Sequence, residues 1–182
     1  MPAKDVFGRA FPVILLTAVV AICVSLLTYV GSITLPRIEA LEVQKIQGML
    51  SGMFPDMSRY TFEDEIYAIY SDEVRIGYAF VAVGKGYGGA INILVGLEDE
   101  ATIKGITVIS HTETPGLGSR ITEDLFTGQF VRLSVDDAAL RRDGGQIDAI
   151  TGATISSRAV ADAVRITAVE KVKVLEDSEE GG

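Results

Sequence analysis

A continuous apolar segment near the N-terminus constrains this chain more than any other feature of its sequence. No charged residue occurs from Ala10 to Pro36, and residues 11–31 are almost entirely apolar. Twenty such residues in a helix extend about 30 Å, the thickness of a bilayer core. The apolar run also exceeds the roughly 7–15 residues of a signal peptide, and no clear cleavage site follows it. We therefore predict a retained transmembrane helix over residues 11–33.

The charges that flank this segment predict its orientation. Lys4 and Arg9 precede it, whereas Arg37 on its other side is outweighed by two nearby glutamates. The positive-inside rule then keeps residues 1–10 in the cytoplasm and places the chain from about residue 36 onward outside. The sequence thus predicts a single-pass protein of the cell membrane, with its helix in membrane lipid and its main domain on the periplasmic or extracytoplasmic side.

Charge and residue usage exclude several classes of function. The chain has 25 Asp and Glu against 16 Lys and Arg, and no basic cluster follows the apolar segment, so nucleic acid is not an expected partner. Cys23 is the only cysteine and His111 the only histidine, which leaves neither a disulfide nor a cysteine-ligated cluster. We predict no metal site, and any redox chemistry would require an organic cofactor.

The rest of the sequence predicts an α+β domain with a mostly antiparallel sheet and flanking helices. An amphipathic juxtamembrane helix is predicted over residues 36–54 and the domain over residues 55–175. Runs of β-branched and aromatic residues follow one another with short turns, as in hairpins, and helices come late, which disfavours a doubly wound parallel sheet. The predicted strands lie within residues 67–86, 91–97 and 102–111.

Three helices and a tail are predicted after these strands. The first two are short, at about Ile121–Phe126 and Asp136–Arg141. A long amphipathic helix is predicted from about Ser156 to Leu175, because its apolar residues fall on one stripe. Residues 176–182 are acidic and lack apolar anchors, so we expect a disordered tail.

Four hydroxyl residues surround Gly152 immediately before the last predicted helix, in the sequence DAITGATISS (residues 148–157). A helix N-cap explains one of them, because Ser156 or Ser157 could accept hydrogen bonds from free backbone N–H groups. A helix N-terminus beside a glycine also suits a phosphate. The segment lacks the lysine of a Walker loop and the glycine spacing of a dinucleotide-binding loop. Both interpretations remain open on spacing alone.

The same segment carries a resemblance to a known family. It matches the pattern Asp-x-x-Ser/Thr-Gly-Ala-Thr of FMN-binding domains in which FMN is attached covalently to the final threonine. Together with HTETPGLGSRI (residues 111–121), the GYGG loop and one N-terminal span, it makes the chain similar to the G subunit of the Rnf ion-translocating electron-transport complex. The matching residues of the segment are Asp148, Thr151, Gly152, Ala153 and Thr154.

This resemblance implies a function and a set of site residues. FMN would be held by a phosphoester bond to Thr154, made by a separate flavin transferase that recognises the segment containing Asp148. The chain would be an electron carrier in a ferredoxin-linked complex that translocates Na⁺ or H⁺. Its partners would be the other membrane and redox subunits, and it would hold no self-contained active site. Further FMN contacts are expected at Thr151, Gly152, Ala153, Ser156, Ser157, Glu113, Thr114, Pro115, Gly116, Leu117 and Gly118.

Two alternatives and two minor expectations complete the set of interpretations. The C-type subunit of the sodium-pumping NADH:quinone reductase represents a similar but longer family. A flavin-free binding or assembly module on the outer side, with the hydroxyl cluster only a helix cap, is the alternative from a different class.

We expect Tyr87, Gly88 and Gly89 to form a tight turn that supports the site rather than to contact flavin, and His111 to be structural.

Overall fold

The chain forms two units, Met1–Gln47 and Gly48–Gly182. The computed structural model describes residues 3–180, with the side chains of residues 12–32, 34, 41 and 43–175. The first unit is the N-terminal part of helix α1, which runs from Ala3 to Met53. Within α1, Pro12–Ser32 is long and apolar enough to cross a membrane, and none of this segment is buried within the protein.

Helix α1 is continuous where two helices were expected. The predicted transmembrane helix and the predicted juxtamembrane helix over residues 36–54 are joined, with Pro36 inside the helix rather than at the start of a new one. A proline removes one backbone hydrogen bond but does not prevent the turns on either side from remaining helical. The end of α1 at Met53 lies one residue before the predicted end of the juxtamembrane helix at residue 54.

The second unit is built on a five-stranded antiparallel sheet with the strand order β1-β2-β3-β4-β5. Each strand pairs with its neighbour in sequence, so the sheet is a meander. This confirms the predicted α+β fold with an antiparallel sheet. The strands are β1 (Arg59–Glu63), β2 (Ile66–Ser71), β3 (Val74–Lys85), β4 (Ala90–Leu97) and β5 (Ile103–His111).

Short helical segments connect β5 to the C-terminal helix. Where one helix was predicted over Ile121–Phe126, a 3₁₀ turn at Gly118–Thr122 is followed by α2 at Asp124–Thr127. The prediction of a helix over Asp136–Arg141 is wrong. Backbone hydrogen bonds there run to Ile147, whose O accepts from Arg141 N (2.9 Å) and whose N donates to Ala139 O (2.9 Å), instead of along a helix. Further 3₁₀ turns lie at Gly128–Phe130 and Arg141–Asp143.

The C-terminal helix α3 runs from Thr154 to Glu180. It extends five residues past the predicted end at Leu175, into the segment that was expected to be disordered. Glutamate has a high helix propensity, and extending an existing helix costs much less than starting one. Gly181 and Gly182, the last two residues of the predicted tail, lie outside the described residues.

The core of the second unit forms between α3 and the sheet. Phe80 on β3 and Val95 on β4 are register partners, and both belong to one buried cluster with Val160 and Val164 of α3. Near the end of β3 the strand approaches the helix backbone closely, because a side chain at Gly84 would meet the Ala159 carbonyl. The first turns of α3 are therefore fixed over the end of β3.

The turn between β4 and β5 depends on a carboxylate. Asp99 Oδ1 accepts hydrogen bonds from Ala101 N (2.9 Å) and Thr102 N (2.8 Å). The bond from Ala101 is the main cause that lowers the pKa of the Asp99 carboxyl below its ordinary value of 3.8, against a smaller opposing effect of desolvation.

We expect Asp99→Ala to lower the free energy of unfolding by about 0.5–1 kcal/mol at neutral pH, since the carboxylate is exposed and screened by solvent. Because the folded pKa is depressed, this contribution is present above the ordinary pKa and is lost as pH falls through the folded pKa. Urea denaturation of the full chain at neutral and at strongly acidic pH measures it. A difference between wild type and variant that is equal at both pH values would contradict the assignment, and Asp99→Asn, which cannot titrate, serves as control.

Candidate functional site

Three segments meet at the N-terminal end of α3 and enclose a pocket of about 450 Å³, within the range of small-molecule sites. They are the loop after β3, the loop after β5 and the segment leading into α3. Residues far apart in sequence are thereby brought to one place. The lining residues are Tyr87, Glu113, Thr114, Leu117, Gly118, Gly152, Ala153, Thr154, Ile155 and Ser156.

Five residues predicted for the site lie outside the lining of this pocket. Thr151 is exposed beside it. Pro115 and Gly116 form the tip of the loop after β5, where Gly116 N donates to Ser119 Oγ (2.9 Å). The other two, Ser157 and Asp148, belong to the segment that leads into α3 and its first turn.

Ser157 is a structural residue of this segment. It is fully buried, and its Oγ accepts from Ile150 N (3.0 Å) and donates to Ala153 O (3.0 Å). The serine therefore ties the turn before α3 to the first turn of the helix. The prediction that Ser156 or Ser157 caps the helix is wrong, because α3 already begins at Thr154 and Ile150 N, which Ser157 binds, is not one of the free N–H groups of the helix.

The four hydroxyl residues of the segment differ in accessibility. Ser157 is buried and bonded to backbone, and Ser156, 2% exposed, donates to Glu113 Oε2 at 2.5 Å. Thr151 is exposed but outside the pocket lining. Of these four residues, all of which the structure describes, only Thr154 both lines the pocket and is not buried.

Gly152 makes the approach to α3 possible. Its φ of +82° lies in the left-handed region, which favours glycine. A Cβ there would come within 3.3 Å of Leu117 Cδ2, so the backbone of this turn lies against the loop after β5. Ala153 N closes the turn by donating to Ile150 O (2.9 Å). As a consequence, Thr154, the first residue of α3, lies in the lining of the pocket.

The chemistry of the lining fits a ligand with an anionic group and an apolar ring. Thr154, Ile155 and Ser156 belong to the first turn of α3 and line the pocket, and the helix N-terminus favours a phosphate there. Tyr87, Leu117 and Ile155 add apolar surface that is still exposed, at 74%, 49% and 55%. A flavin mononucleotide combines these two features, so the residues present suit it.

Asp148 lies at the surface, away from the pocket lining. Its Oδ1 is 2.7 Å from Arg141 Nε in an exposed ion pair. Its backbone is held by Gln129, whose Oε1 accepts from Asp148 N (2.7 Å) and whose Nε2 donates to Asp148 O (3.4 Å). This residue is accessible to another protein rather than to a ligand in the pocket.

Sequence reasoning missed two lining residues. Ile155 was not singled out, and Tyr87 was assigned only to a supporting turn. The turn is present, with Gly86 N donating to Gly89 O (2.8 Å), but Tyr87 within it also lines the pocket. A large aromatic residue between glycines was the available signal. His111 accepts a hydrogen bond from Glu113 N at Nδ1 (3.2 Å), in agreement with the structural role expected of it.

The described part of the chain contains no group of three or more His, Cys, Asp or Glu residues that could hold a metal ion.

Comparisons with known proteins identify the family of this chain. Residues 86–169, which include both pocket motifs, match the FMN-binding domain family. The G subunit of the ion-translocating oxidoreductase complex of Methanosarcina acetivorans is 49% identical over 102 residues, which cover 56% of this chain and 54% of that protein. The match therefore spans about half of that relative's length. The corresponding G subunit from Pasteurella multocida is 31% identical over 191 residues, covering 91% of this chain and 95% of the relative.

A solved structure with a similar fold is the C subunit of the Na⁺-translocating NADH-quinone reductase from Parabacteroides distasonis. It superposes with a TM-score of 0.51 at 24% identity, covering 59% of this chain and 60% of that chain. At this level of identity the likeness establishes the fold.

Proposed function

Because the chain belongs to the G-subunit family of ion-translocating oxidoreductase complexes, we propose that it is the membrane-anchored flavoprotein electron carrier of such a complex. The observation that carries this proposal is the meeting of two motifs, residues 113–118 and 151–154, in one pocket at the start of α3. When bound, FMN supplies the electron-transfer chemistry that no side chain here provides. We assign substrate turnover to partner subunits, because Ser156 and Glu113, the hydroxyl and carboxylate that meet in this pocket, are buried and bonded to each other.

We propose that Thr154 is the covalent attachment point. The support for this proposal is accessibility, since Thr154 lines the pocket and is only half-buried. The reaction is catalysed by a separate flavin transferase. A bond forms from Thr154 Oγ to the phosphorus of the FMN half of FAD, the pyrophosphate bond breaks, AMP leaves and the hydroxyl proton is released. A covalent tether makes retention of the cofactor independent of its free concentration.

The remaining residues divide between the two ends of the ligand. Gly152 and Ala153 bound the phosphate end, where the first N–H groups of α3 favour an anion, and Thr151 lies next to them outside the lining. Thr114, Leu117 and Gly118 bound the ring end together with Ile155 and Tyr87. Pro115, Gly116 and Ser157 shape the two loops without lining the pocket, and Ser156 acts through its bond to Glu113.

Asp148 is proposed to contact the transferase. Its exposed position supports this role, as does its backbone, which Gln129 fixes at both the N–H and the carbonyl, because a transient partner needs an accessible carboxylate in a defined place. Contact with the transferase requires Asp148 to exchange its exposed ion pair with Arg141, a pair of low intrinsic stability.

We propose that the FMN domain faces the outer side of the cell membrane and that the Pro12–Ser32 segment anchors it in lipid. Lys4 and Arg9 on the N-terminal flank support this orientation. Other membrane and redox subunits then receive and deliver electrons at the outward domain, and the complex is ferredoxin-linked and translocates Na⁺ or H⁺.

Cysteine labelling tests this orientation. In a Cys23→Ser background, a membrane-impermeant maleimide applied to intact cells is expected to label Glu100→Cys, in the exposed β4–β5 turn, but not Ala3→Cys. Permeabilised cells should label both. Labelling of Ala3→Cys alone in intact cells would contradict the proposed orientation and indicate the opposite one.

Purification of the full chain from its native membrane tests the function. We expect a flavin absorption band that stays with the denatured polypeptide, together with co-purifying subunits of a ferredoxin-linked complex. Co-purification with the subunits of a sodium-pumping quinone reductase would instead favour the alternative that the shared fold allows. A colourless protein from cells that flavinylate a control substrate would support the flavin-free module.

A further inference from the structure

Glu113 is a buried carboxylate at the junction of the three pocket segments. It is 5% exposed, and both of its oxygens are bonded within the protein. Oε1 accepts from Gly88 N (2.9 Å) in the loop after β3, and Oε2 accepts from Ser156 Oγ (2.5 Å) in the first turn of α3. The carboxylate therefore connects the loop after β5, on which it lies, to both other segments.

The surrounding backbone encloses this carboxylate. A Cβ at Gly86 would meet Glu113 Oε1, and a Cβ at Gly118 would meet Glu113 Oε2. Two glycines on different segments thus leave just enough space for the carboxylate and its partners. Glu113 contacts the protein at each of these points, so its carboxylate holds the three pocket segments together.

The loop after β3 is held a second time at the same residue. Gly88 O accepts from Thr112 Oγ1 (3.0 Å), so side chains 24 and 25 residues away fix both the carbonyl and the N–H of Gly88. Tyr87 is the preceding residue. It is 74% exposed and lines the pocket. An exposed aromatic side chain on a mobile loop would have no defined place, whereas here the next residue, Gly88, is held at both its N–H and its carbonyl.

We propose that Glu113 is a positioning residue, which through Gly88 fixes Tyr87 as an aromatic wall for the flavin ring. The inference rests on the proposed function, because it requires FMN in this pocket. The energetic reason is that aromatic surfaces contribute to binding when they are held ready, without an ordering cost at the time of contact.

Two variants of Glu113 separate positioning from charge. Glu113→Gln removes the negative charge but keeps an oxygen to accept from Gly88 N and an amide that can donate to Ser156 Oγ. Glu113→Ala removes both partners. A positioning role predicts that Gln preserves the wild-type properties and Ala does not, whereas a role through charge predicts the same change in both.

Amide hydrogen exchange tests the positioning without flavin. The full chain, produced without the transferase and kept in detergent, should show about tenfold faster exchange at residues 86–89 in Glu113→Ala, the effect of losing one hydrogen bond. Glu113→Gln should stay near wild type, and the distant turn at residues 99–102 should be unchanged in both. Unaltered exchange at residues 86–89 in Glu113→Ala would overturn the positioning role.

Flavin fluorescence of the FMN-loaded full chain tests the role of Tyr87. A tyrosine in contact with a flavin quenches its fluorescence by electron transfer to the excited ring, so Tyr87→Leu should raise the fluorescence several-fold. Glu113→Ala should raise it as well, Glu113→Gln should not, and the double variant should add nothing to Tyr87→Leu. Unchanged fluorescence in Tyr87→Leu, or additive effects in the double variant, would overturn the inference. A wild-type chain without flavin contradicts the proposed function, while the exchange measurement judges the positioning separately.

Discussion

Thr154→Ala is expected to abolish covalent flavin attachment completely while the domain remains folded. The variant lacks the hydroxyl that lines the pocket at the start of α3. Ser156 and Ser157 cannot replace it, because both are buried and hydrogen-bonded. Alanine is a good helix former, so the stability change should not exceed about 1 kcal/mol. The measurement is flavin retained by acid-precipitated full chain from cells that contain the transferase, with circular dichroism to confirm folding.

Thr151→Ala is the matched control for this experiment. Thr151 belongs to the same segment but lies outside the pocket lining, so this variant should keep its covalent flavin even if binding or potential changes. Covalent flavin in Thr154→Ala at the wild-type level would refute the attachment point. Its loss in Thr151→Ala alone would move the attachment point to Thr151.

Phe80→Ala is expected to lower the free energy of unfolding by about 3–5 kcal/mol, the range for removing a buried aromatic side chain. Phe80 is 1% exposed and belongs to the cluster that joins β3 and β4 to α3. A cavity there removes contacts that hold the helix whose first turn lines the pocket. Chemical denaturation of the full chain in detergent, followed by circular dichroism, measures the change.

Val83→Ala on the same strand is the control, since Val83 is 61% exposed and its truncation should change stability by no more than about 0.5 kcal/mol. Equal effects of the two substitutions would mean that β3 does not pack against α3 as described.

The sheet and α3 were predictable because their residues carry clear local periodicity. The predicted region 67–86 forms the hairpin of β2 and β3, and the strand predicted to end at His111 does so. Strand β1 was missed because it is only five residues long, although its aromatic residues Tyr60 and Phe62 alternate with polar ones. The false helix at Asp136–Arg141 fails for a different reason, as its backbone bonds go to Ile147, a tertiary partner that local patterns do not reveal.

The part of the site that its two sequence motifs form was predictable. The family resemblance drawn from two separated motifs is confirmed by the G-subunit relatives, and FMN as the ligand is supported by the matched domain. The network around Glu113 was not predictable. Its partners Gly88 and Ser156 lie 25 and 43 residues away in sequence. They meet only because the C-terminal ends of β3 and β5 lie at the same end of the sheet as the start of α3.

Peptide mapping by mass spectrometry tests the central claim most directly. The full chain is purified from cells that contain the transferase, denatured and digested with trypsin, which releases residues 143–158 as one peptide. We predict a mass increase equal to FMN minus one water, localised by fragmentation to Thr154. An unmodified peptide, from cells that flavinylate a control substrate, would contradict covalent flavin at this site and leave the hydroxyl cluster with a structural role at the start of α3.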